Sequence, residues 1–301
     1  MKDSFGRDMT NLRVSITQRC NLKCSYCHRE GEVISGKEMT PEEMARLVSL
    51  GSSLGMRKLK LTGGEPLVRD DVVEIVRLCA RLAQEVSMTT NGVLLSGFAS
   101  SLKEAGLRRV NVSLDTLDPK TYESVSGIDA LDHVLDGIRA AISVGLSPVK
   151  LNMVVMKDIN SHEIEDMIRF SEEVGAVLQL IELEASRERM NDGYYAKHHY
   201  PLDVLESQLA ARAVRVVARS LHRRMKYYLP GEVEIVRPMH NTVFCANCHR
   251  LRITSNGYLK PCLLSNDGMI DVLGPMRNHA SGQELKELFH KAVELREPYW
   301  R

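Results

Sequence analysis

Apolar and polar positions repeat along this chain with two periods, and these predict a regular succession of strands and helices. Short runs rich in β-branched residues indicate strands, and longer runs with apolar residues three or four positions apart indicate helices. The predicted strands are 12–17, 58–62, 86–89, 109–113, 149–155 and 177–183. The predicted helices are 41–54, 70–84, 95–105, 131–144, 161–174 and 201–213.

The ends of several helices carry capping signals. Thr40 precedes Pro41 and stands three residues before Glu43, the pattern of a capping box at the start of a helix. A glycine that follows a helix is expected to end it in the left-handed conformation. Four glycines do so here: Gly55, Gly106, Gly145 and Gly175.

Strands that alternate with helices form right-handed units and a parallel sheet, which is either open or closed into a barrel. Polar residues favour the barrel, because they follow many strands, whereas an open sheet gathers them at one switch point. These polar positions are 62–66, 89–92, Asn111, Ser113, Glu182 and Glu184. The sequence therefore predicts an α/β protein with a partial (βα)6 TIM-type barrel.

Composition excludes several classes of function. The 301 residues are 44% hydrophobic and 26% charged, as in an ordinary globular protein. The net charge of +1 argues against nucleic acid or an anionic membrane as the main partner. No apolar run approaches the roughly 18 residues of a membrane span, and the first residues lack the apolar segment of a signal peptide. We expect a cytoplasmic protein.

Six of the seven cysteines form two groups of three, here called the first triad (Cys20, Cys24, Cys27) and the second triad (Cys245, Cys248, Cys262). An odd number of cysteines without a signal peptide is a poor disulfide framework, so these groups indicate metal sites. The seventh, Cys79, falls on the apolar face of helix 70–84, and we expect it to be buried.

Three thiolates suit a 4Fe-4S cluster, which then keeps one iron free for a cofactor or substrate. A structural zinc ion needs four protein ligands. Zinc stays an alternative if His28 completes the first triad, or if His240 or His249 completes the second. Pro230, Gly231 and Pro238 mark the start of the segment with the second triad, so we predict a core over 4–225 and a C-terminal iron–sulfur module over 226–301.

The first triad resembles the signature of radical S-adenosylmethionine (SAM) enzymes, in which an aromatic residue, here Tyr26, precedes the third cysteine. The run 62–66, Thr-Gly-Gly-Glu-Pro, resembles their glycine-rich turn. The segment 244–252 with Cys262 is similar to the second-cluster motif of the GTP 3′,8-cyclase family, which acts in molybdenum cofactor biosynthesis. Segments 11–17, 89–92 and 111–113 also look like that family, so the resemblance covers nearly the whole chain.

The resemblance implies two 4Fe-4S clusters, one on each triad, and SAM as cofactor. Tyr26, Gly64 and Ser113 match positions that contact SAM. The positions that bind GTP are matched by Arg13, Lys60, Thr89, Lys150, Arg250, Leu251 and Arg252. Lys60 stands where an arginine is expected, and Arg13 is the candidate catalytic residue.

Charge agrees with a nucleotide substrate, since a triphosphate brings roughly four negative charges that guanidinium and ammonium groups bind. Lys60 and Lys150 lie within predicted strands, and a lysine that points into a barrel requires an anion. The basic run 212–226 has two interpretations. We favour a solvated surface over a contact with an anionic substrate or partner.

Three features depart from the family pattern. Glu184 stands where bacterial members have a methionine that touches SAM, and His249 stands where they commonly have asparagine. The last residues, Glu-Pro-Tyr-Trp-Arg, differ from the double-glycine tail of many members. These departures leave open the roles of Glu184, of His249 and of a tail in the active site.

The implied reaction begins when an external electron donor reduces the first cluster and SAM is cleaved. The 5′-deoxyadenosyl radical then takes the ribose 3′ hydrogen of GTP, and the product is 3′,8-cyclo-7,8-dihydro-GTP. The next enzyme, cyclic pyranopterin monophosphate synthase, and a possible homodimer are further implied partners. Two alternatives remain: a radical SAM enzyme that acts on a peptide, and a zinc protein without catalytic activity.

Overall fold

The structure is a computed structural model that describes residues 1–32, 36–185 and 193–299. Six strands in its first part confirm the predicted alternation, each within two residues of its predicted ends. They are β1 (Asn11–Ser15), β2 (Lys58–Thr62), β3 (Glu85–Thr90), β4 (Arg109–Ser113), β5 (Lys150–Val155) and β6 (Val177–Glu182).

Helices separate these strands: α1 (Pro41–Ser53), α2 (Val72–Ala80), α3 (Leu95–Glu104), α4 (Pro119–Ser126), α5 (Leu131–Ser143) and α6 (Ile164–Glu173). The predicted capping box at Thr40 and Glu43 is present, and the four capping glycines have φ angles between 69° and 103°. Two predictions were wrong. Helix 70–84 is shorter, and α4 was missed although Asp118 caps it and Pro119 opens it.

The remaining elements are α7 (Tyr194–His198), α8 (Asp203–Arg212), β7 (Arg215–Ala218), β8 (Met225–Tyr228), β9 (Glu232–Val236), α9 (Thr242–Ala246), β10 (Arg250–Ile253), β11 (Tyr258–Lys260), β12 (Ile270–Asp271), α10 (Leu273–Arg277) and α11 (Gly282–Glu294). The domain boundary predicted after residue 225 falls within β8 and stays a prediction.

The strands form one sheet in the order β12-β11-β10-β1-β2-β3-β4-β5-β6-β9-β8-β7. Strand β10 pairs in parallel with β1, and β9 pairs in parallel with β6. The later part of the chain therefore extends the parallel sheet at both edges. The fold is the expected partial TIM-type barrel. Antiparallel strands form the two outer edges of the sheet.

Side chains alternate between two environments along each strand, as the period of a strand requires. Apolar residues such as Leu12, Leu59 and Val110 pack against the helices and form the core. Cys79 is completely buried in this layer, as predicted. Polar residues point to the inside of the barrel. Among the described residues, no helix is long and apolar enough to cross a membrane.

Gly92 provides a test of the packing behind β3. Its φ is 85°, and a Cβ there would lie 2.7 Å from Val112 Cγ1 and 3.0 Å from Val134 Cγ1. We expect Gly92→Ala to lower the free energy of unfolding by about 1–3 kcal/mol, because the left-handed backbone and the clash both oppose a side chain. Thermal unfolding under anaerobic conditions measures this change.

The matched control is Gly97→Ala within α3, where a Cβ meets nothing within 4 Å. This change should raise the free energy of unfolding by up to about 1 kcal/mol, since alanine is the better helix former. A Gly92→Ala protein as stable as the wild type would contradict the packing described here.

Candidate active site

The barrel encloses a cavity of about 770 Å³. All six triad cysteines line it, together with nearly every residue predicted to bind SAM or GTP. These residues are Arg13, Tyr26, Lys60, Gly64, Thr89, Ser113, Lys150, Arg250 and Arg252. Glu184 lines the cavity as well. Residues from distant parts of the sequence thus meet in one chamber.

Leu251 is the exception among the predicted GTP contacts. Its side chain is completely buried in the hydrophobic core behind β10, since alternation along the strand sends Arg250 and Arg252 into the cavity and Leu251 to the other face. The side chain of Leu251 therefore does not reach the cavity.

The loop that carries the first triad packs on the glycine-rich turn after β2. The Gly64 amide donates a hydrogen bond to the Thr17 carbonyl at 2.8 Å, and the Glu65 amide donates one to the Arg19 carbonyl at 2.8 Å. A Cβ on Gly64 would lie 2.4 Å from the Arg19 carbonyl oxygen. Glycine is needed here for the close approach of two backbones, whether or not it also touches SAM.

Glu65 ties this turn to the end of β3. Its buried carboxylate accepts hydrogen bonds from the Leu67 amide at 2.9 Å, the Thr90 hydroxyl at 2.7 Å and the Asn91 amide at 2.6 Å. Burial raises the pKa of Glu65 to about 7 in spite of these donors. The Asn91 amide group in turn donates to Asn21 Oδ1 at 2.8 Å, within the triad loop.

Tyr26 is held on the opposite side of the loop. Its hydroxyl donates to Asp115 Oδ2 at 2.6 Å, while Asp115 Oδ1 accepts from the Val154 amide at 2.8 Å. Burial raises the pKa of Asp115 to about 6. These contacts fix Tyr26 beside the third cysteine and near Ser113 at the end of β4.

Burial raises the pKa of two thiols of the first triad, those of Cys20 and Cys24. Burial, and after it the charges of Asp115 and of the neighbouring cysteines, raises the pKa of Cys24 to about 12. Iron deprotonates a cysteine ligand. Among the described residues, no three His, Cys, Asp or Glu side chains are arranged around one metal ion. In a cubane cluster each thiolate binds a different iron, so such a cluster does not require the three cysteines to surround one ion.

Two buried arginines organise the second triad. Arg296 is 5% exposed, and its guanidinium donates to the Cys248 carbonyl at 3.0 Å, the Pro261 carbonyl at 3.1 Å and the Arg250 carbonyl. Burial raises the pKa of the Cys248 thiol, but the charges of Arg296 and Arg250 outweigh it and the net shift is downward.

Arg7 supports the same region from the N-terminal segment. It donates to the Cys245 carbonyl at 2.9 Å and to the Glu297 carbonyl at 2.7 Å. The buried carboxylate of Asp3 joins the two arginines, with contacts of 2.5 Å to Arg7 and 3.1 Å to Arg296. The two ends of the chain thus hold the cysteines through main-chain carbonyls.

Cations stand side by side on the inner face of the sheet. Arg13 on β1 is paired in register with Lys60 on β2 and with Arg252 on β10. Glu30 lies between two of them, with contacts of 3.5 Å to Arg13 and 2.8 Å to Arg252. Burial raises the pKa of Glu30, but these two arginines outweigh it and hold the pKa at about 2.

Lys60 and Lys150 both point inward. Lys60 Nζ donates to Asn111 Oδ1 at 2.6 Å, and burial together with Arg13 holds the pKa of Lys60 far below its ordinary value. Lys150 Nζ lies 2.5 Å from the buried carboxylate of Glu234. Lys150 thus finds the anion that an inward lysine requires in a carboxylate of the protein. Lys60 has only a neutral amide among its described partners.

Several cavity residues were not predicted. Glu30 lies in the loop of the first triad and Glu234 on β9, and no sequence signal marks either as the partner of these cations. The basic run 212–226 was only partly a solvated face: Arg212 and Arg215 are exposed, but Arg219, His222 and Arg224 line the cavity. The preferred interpretation of that run was therefore wrong for these three residues.

Comparison with known proteins agrees with this geometry. The radical SAM superfamily model matches residues 14–171, and the model named Molybdenum Cofactor Synthesis C matches residues 176–301. A probable GTP 3′,8-cyclase of Pyrococcus horikoshii is 54% identical over 99% of this chain and 97% of its own length. One of Methanothermobacter thermautotrophicus is 47% identical over 100% of this chain and 99% of its own length.

Solved structures agree on the fold. Streptococcus suis SuiB bound to S-adenosylmethionine covers 88% of this chain and 61% of its own, with a TM-score of 0.63 and 16% identity. The structure titled native anSMEcpe with bound AdoMet covers 85% of this chain and 75% of its own, with a TM-score of 0.56 and 18% identity. The chain belongs to the radical SAM superfamily, whose chemistry uses SAM and an iron–sulfur cluster, and within it to the GTP 3′,8-cyclase family.

Proposed function

We propose that this protein is a GTP 3′,8-cyclase that converts GTP to 3′,8-cyclo-7,8-dihydro-GTP, the first step of molybdenum cofactor biosynthesis. The observation that carries the proposal is that both cysteine triads and the row of cations face one cavity. The relatives compared above are named as cyclases, which favours GTP over a peptide. The reaction is an intramolecular cyclisation without hydrolysis, which places the enzyme among the lyases.

Each triad in this proposal holds one 4Fe-4S cluster. The first, with Tyr26, Gly64 and Ser113 around SAM, supplies the 5′-deoxyadenosyl radical when the cofactors are bound. The second would be held by Cys245, Cys248 and Cys262, and it would supply a Lewis-acidic iron for binding the guanine base. Seven free cysteines suit a reducing compartment such as the cytoplasm.

The protein's own residues bind and orient the substrate. Lys60, Lys150, Arg250 and Arg252 meet the triphosphate, and Thr89 contributes a hydroxyl. Arg13 stands between Lys60 and Arg252 in the sheet, where it positions the nucleotide for the last electron and proton transfer. The walls of the cavity would limit the access of water to the radical and would hold the ribose near the adenosyl carbon. An external reductant and the synthase that takes the product complete the set of partners.

Anaerobic incubation with SAM, dithionite and GTP tests the proposal. We expect 5′-deoxyadenosine together with a GTP-derived product of unchanged mass and altered retention, measured by mass spectrometry. Cys20→Ala should abolish both, whereas Cys248→Ala should still release 5′-deoxyadenosine but form no cyclised product. Formation of 5′-deoxyadenosine by the wild type with GTP untouched would refute the substrate and leave the radical chemistry standing.

Arg250 and Arg252 provide a test of nucleotide binding. Replacement of either by alanine should raise the KM for GTP roughly 10- to 100-fold, since each change removes a charged hydrogen-bond donor from the cavity. Iron content should stay at the wild-type value. The matched control is Arg139→Ala, an exposed arginine paired with Asp136 at 3.0 Å. Unchanged turnover at limiting GTP in both variants would contradict the assignment.

Arg296→Ala should weaken the second cluster selectively, because the guanidinium holds the carbonyls beside Cys248 and Cys262. We expect iron to fall from about eight per chain toward four, with 5′-deoxyadenosine formation retained. Arg296→Lys should restore little, since an ammonium lacks the fork that reaches several carbonyls. Iron analysis and electron paramagnetic resonance measure the effect.

The control is Arg277→Ala, which removes a surface arginine that lies 2.7 Å from Glu43. It should keep the wild-type iron content and spectrum. Full iron loading and an unaltered spectrum of the second cluster in Arg296→Ala would show that the carbonyl contacts do not support that cluster.

A further inference from the structure

The turn between β7 and β8 is an inner wall of the cavity. Arg219, His222 and Arg224 line it, although β7, directly before the turn, is exposed along its length. None of the sequence motifs that resemble the family includes this turn. The family resemblance therefore assigns no role to the three side chains that the turn directs into the cavity.

His222 is held in a conformation that costs free energy. It is 4% exposed, and neither ring nitrogen has a hydrogen-bond partner among the described residues. Its φ is 63° and that of Arg223 is 52°, a left-handed conformation that side chains other than glycine rarely adopt. A buried polar ring without partners on a strained backbone is typical of a residue held ready for a ligand.

Two contacts determine where the ring lies. The His222 ring stacks on Phe244, with 3.8 Å between ring centroids and an angle of 26°, so one face is covered. The His222 amide donates to the Asn247 carbonyl at 2.8 Å, between two cysteines of the second triad. Burial and then the charges of Arg250 and Arg224 lower the pKa of the ring, which places a neutral imidazole among cations.

The flanking arginines share a single carboxylate. Glu234 is fully buried and lies 2.7 Å from Arg219, 3.8 Å from Arg224, 2.5 Å from Lys150 and 3.8 Å from Lys226. Lys226 also meets a second carboxylate on β9, Glu232, at 2.5 Å.

The cations of this cluster thus outnumber the carboxylates by two. Arg224 Nε is buried and has no hydrogen-bond partner among the described residues. Uncompensated positive charge away from water calls for a bound anion. This surplus lies beside Lys150 and lines the same cavity as Lys60, Arg13 and Arg252.

We propose that residues 219–224 form a nucleotide-binding turn, in which Arg219 and Arg224 bind the phosphate chain and His222 makes a hydrogen bond to the nucleoside. The proposal rests on the proposed function, because it takes GTP as the ligand. It assigns the wall of the cavity at β7 and β8 to substrate recognition.

Calorimetric titration of anaerobically reconstituted protein with GTP and with GMP tests this role. Arg224→Ala should weaken GTP binding roughly 10- to 100-fold and GMP binding much less, because GMP lacks the outer phosphates. His222→Phe keeps the ring and its stack on Phe244 but removes both nitrogens. It should weaken both ligands by a similar factor, roughly 3- to 10-fold.

The control is Arg215→Ala in β7, where the guanidinium lies outside, 4.2 Å from the Tyr228 ring centroid. It should bind both nucleotides as the wild type does. Arg219→Ala, at a half-buried site, gives a second variant if Arg224→Ala fails to fold. Iron content and thermal unfolding of each variant are measured beside binding.

The outcomes separate the two proposals. A wild-type protein that does not bind GTP would overturn the proposed function and this inference together. If the wild type binds GTP and the three variants bind as tightly, the turn has no role in recognition while the proposed function stands. An equal loss of GTP and GMP affinity in Arg224→Ala would overturn the assignment to the phosphate chain.

Discussion

Positive charge buried inside the barrel is the constraint on which the rest of this site depends. Parallel pairing sets Lys60, Arg13 and Arg252 at neighbouring positions of three strands, where like charges repel one another more strongly than they would in water. Glu30 offsets part of that repulsion through its contacts with Arg13 and Arg252, and Glu234 does the same for Lys150, Arg219 and Arg224. In the proposed function the phosphates of GTP offset the remainder, which links the geometry of the sheet to the class of the substrate.

The same principle explains how the second triad is built. In the proposed function this triad holds a cluster that brings negative charge into the cavity, and Arg296 and Arg7 approach that site from two distant segments of the chain. Their guanidinium groups bind main-chain carbonyls rather than the sulfur atoms alone, so they hold the loops and supply positive charge together. Asp3 keeps the two arginines from repelling each other.

Features that depend on neighbours in sequence could be predicted, and those that depend on distant pairing could not. The capping box at Thr40 and the cysteine spacings are local patterns, and both can be recognised from the residues alone. The burial of the Leu251 side chain could have been predicted as well, because alternation along a strand that points Arg250 and Arg252 inward sends it to the opposite face. Glu234 and the turn at His222 could not be predicted. Glu234 on β9 meets Gln179 on β6 through a parallel strand pairing that joins residues 55 positions apart.

Glu30 connects the loop of the first triad to the cations on the inner face of the sheet. It lies three residues after Cys27, in the loop that carries the first triad, yet its carboxylate contacts Arg13 and Arg252 on the substrate side. The loop that carries the first triad is thereby tied to cations that, in the proposed function, bind the nucleotide. Hydrogen transfer needs the two reacting carbons in near contact, and a tie of this kind reduces the freedom of one site relative to the other. Because Glu30 contacts the same two arginines that the proposed function assigns to the nucleotide, the position of the loop and the binding of the anion depend on each other.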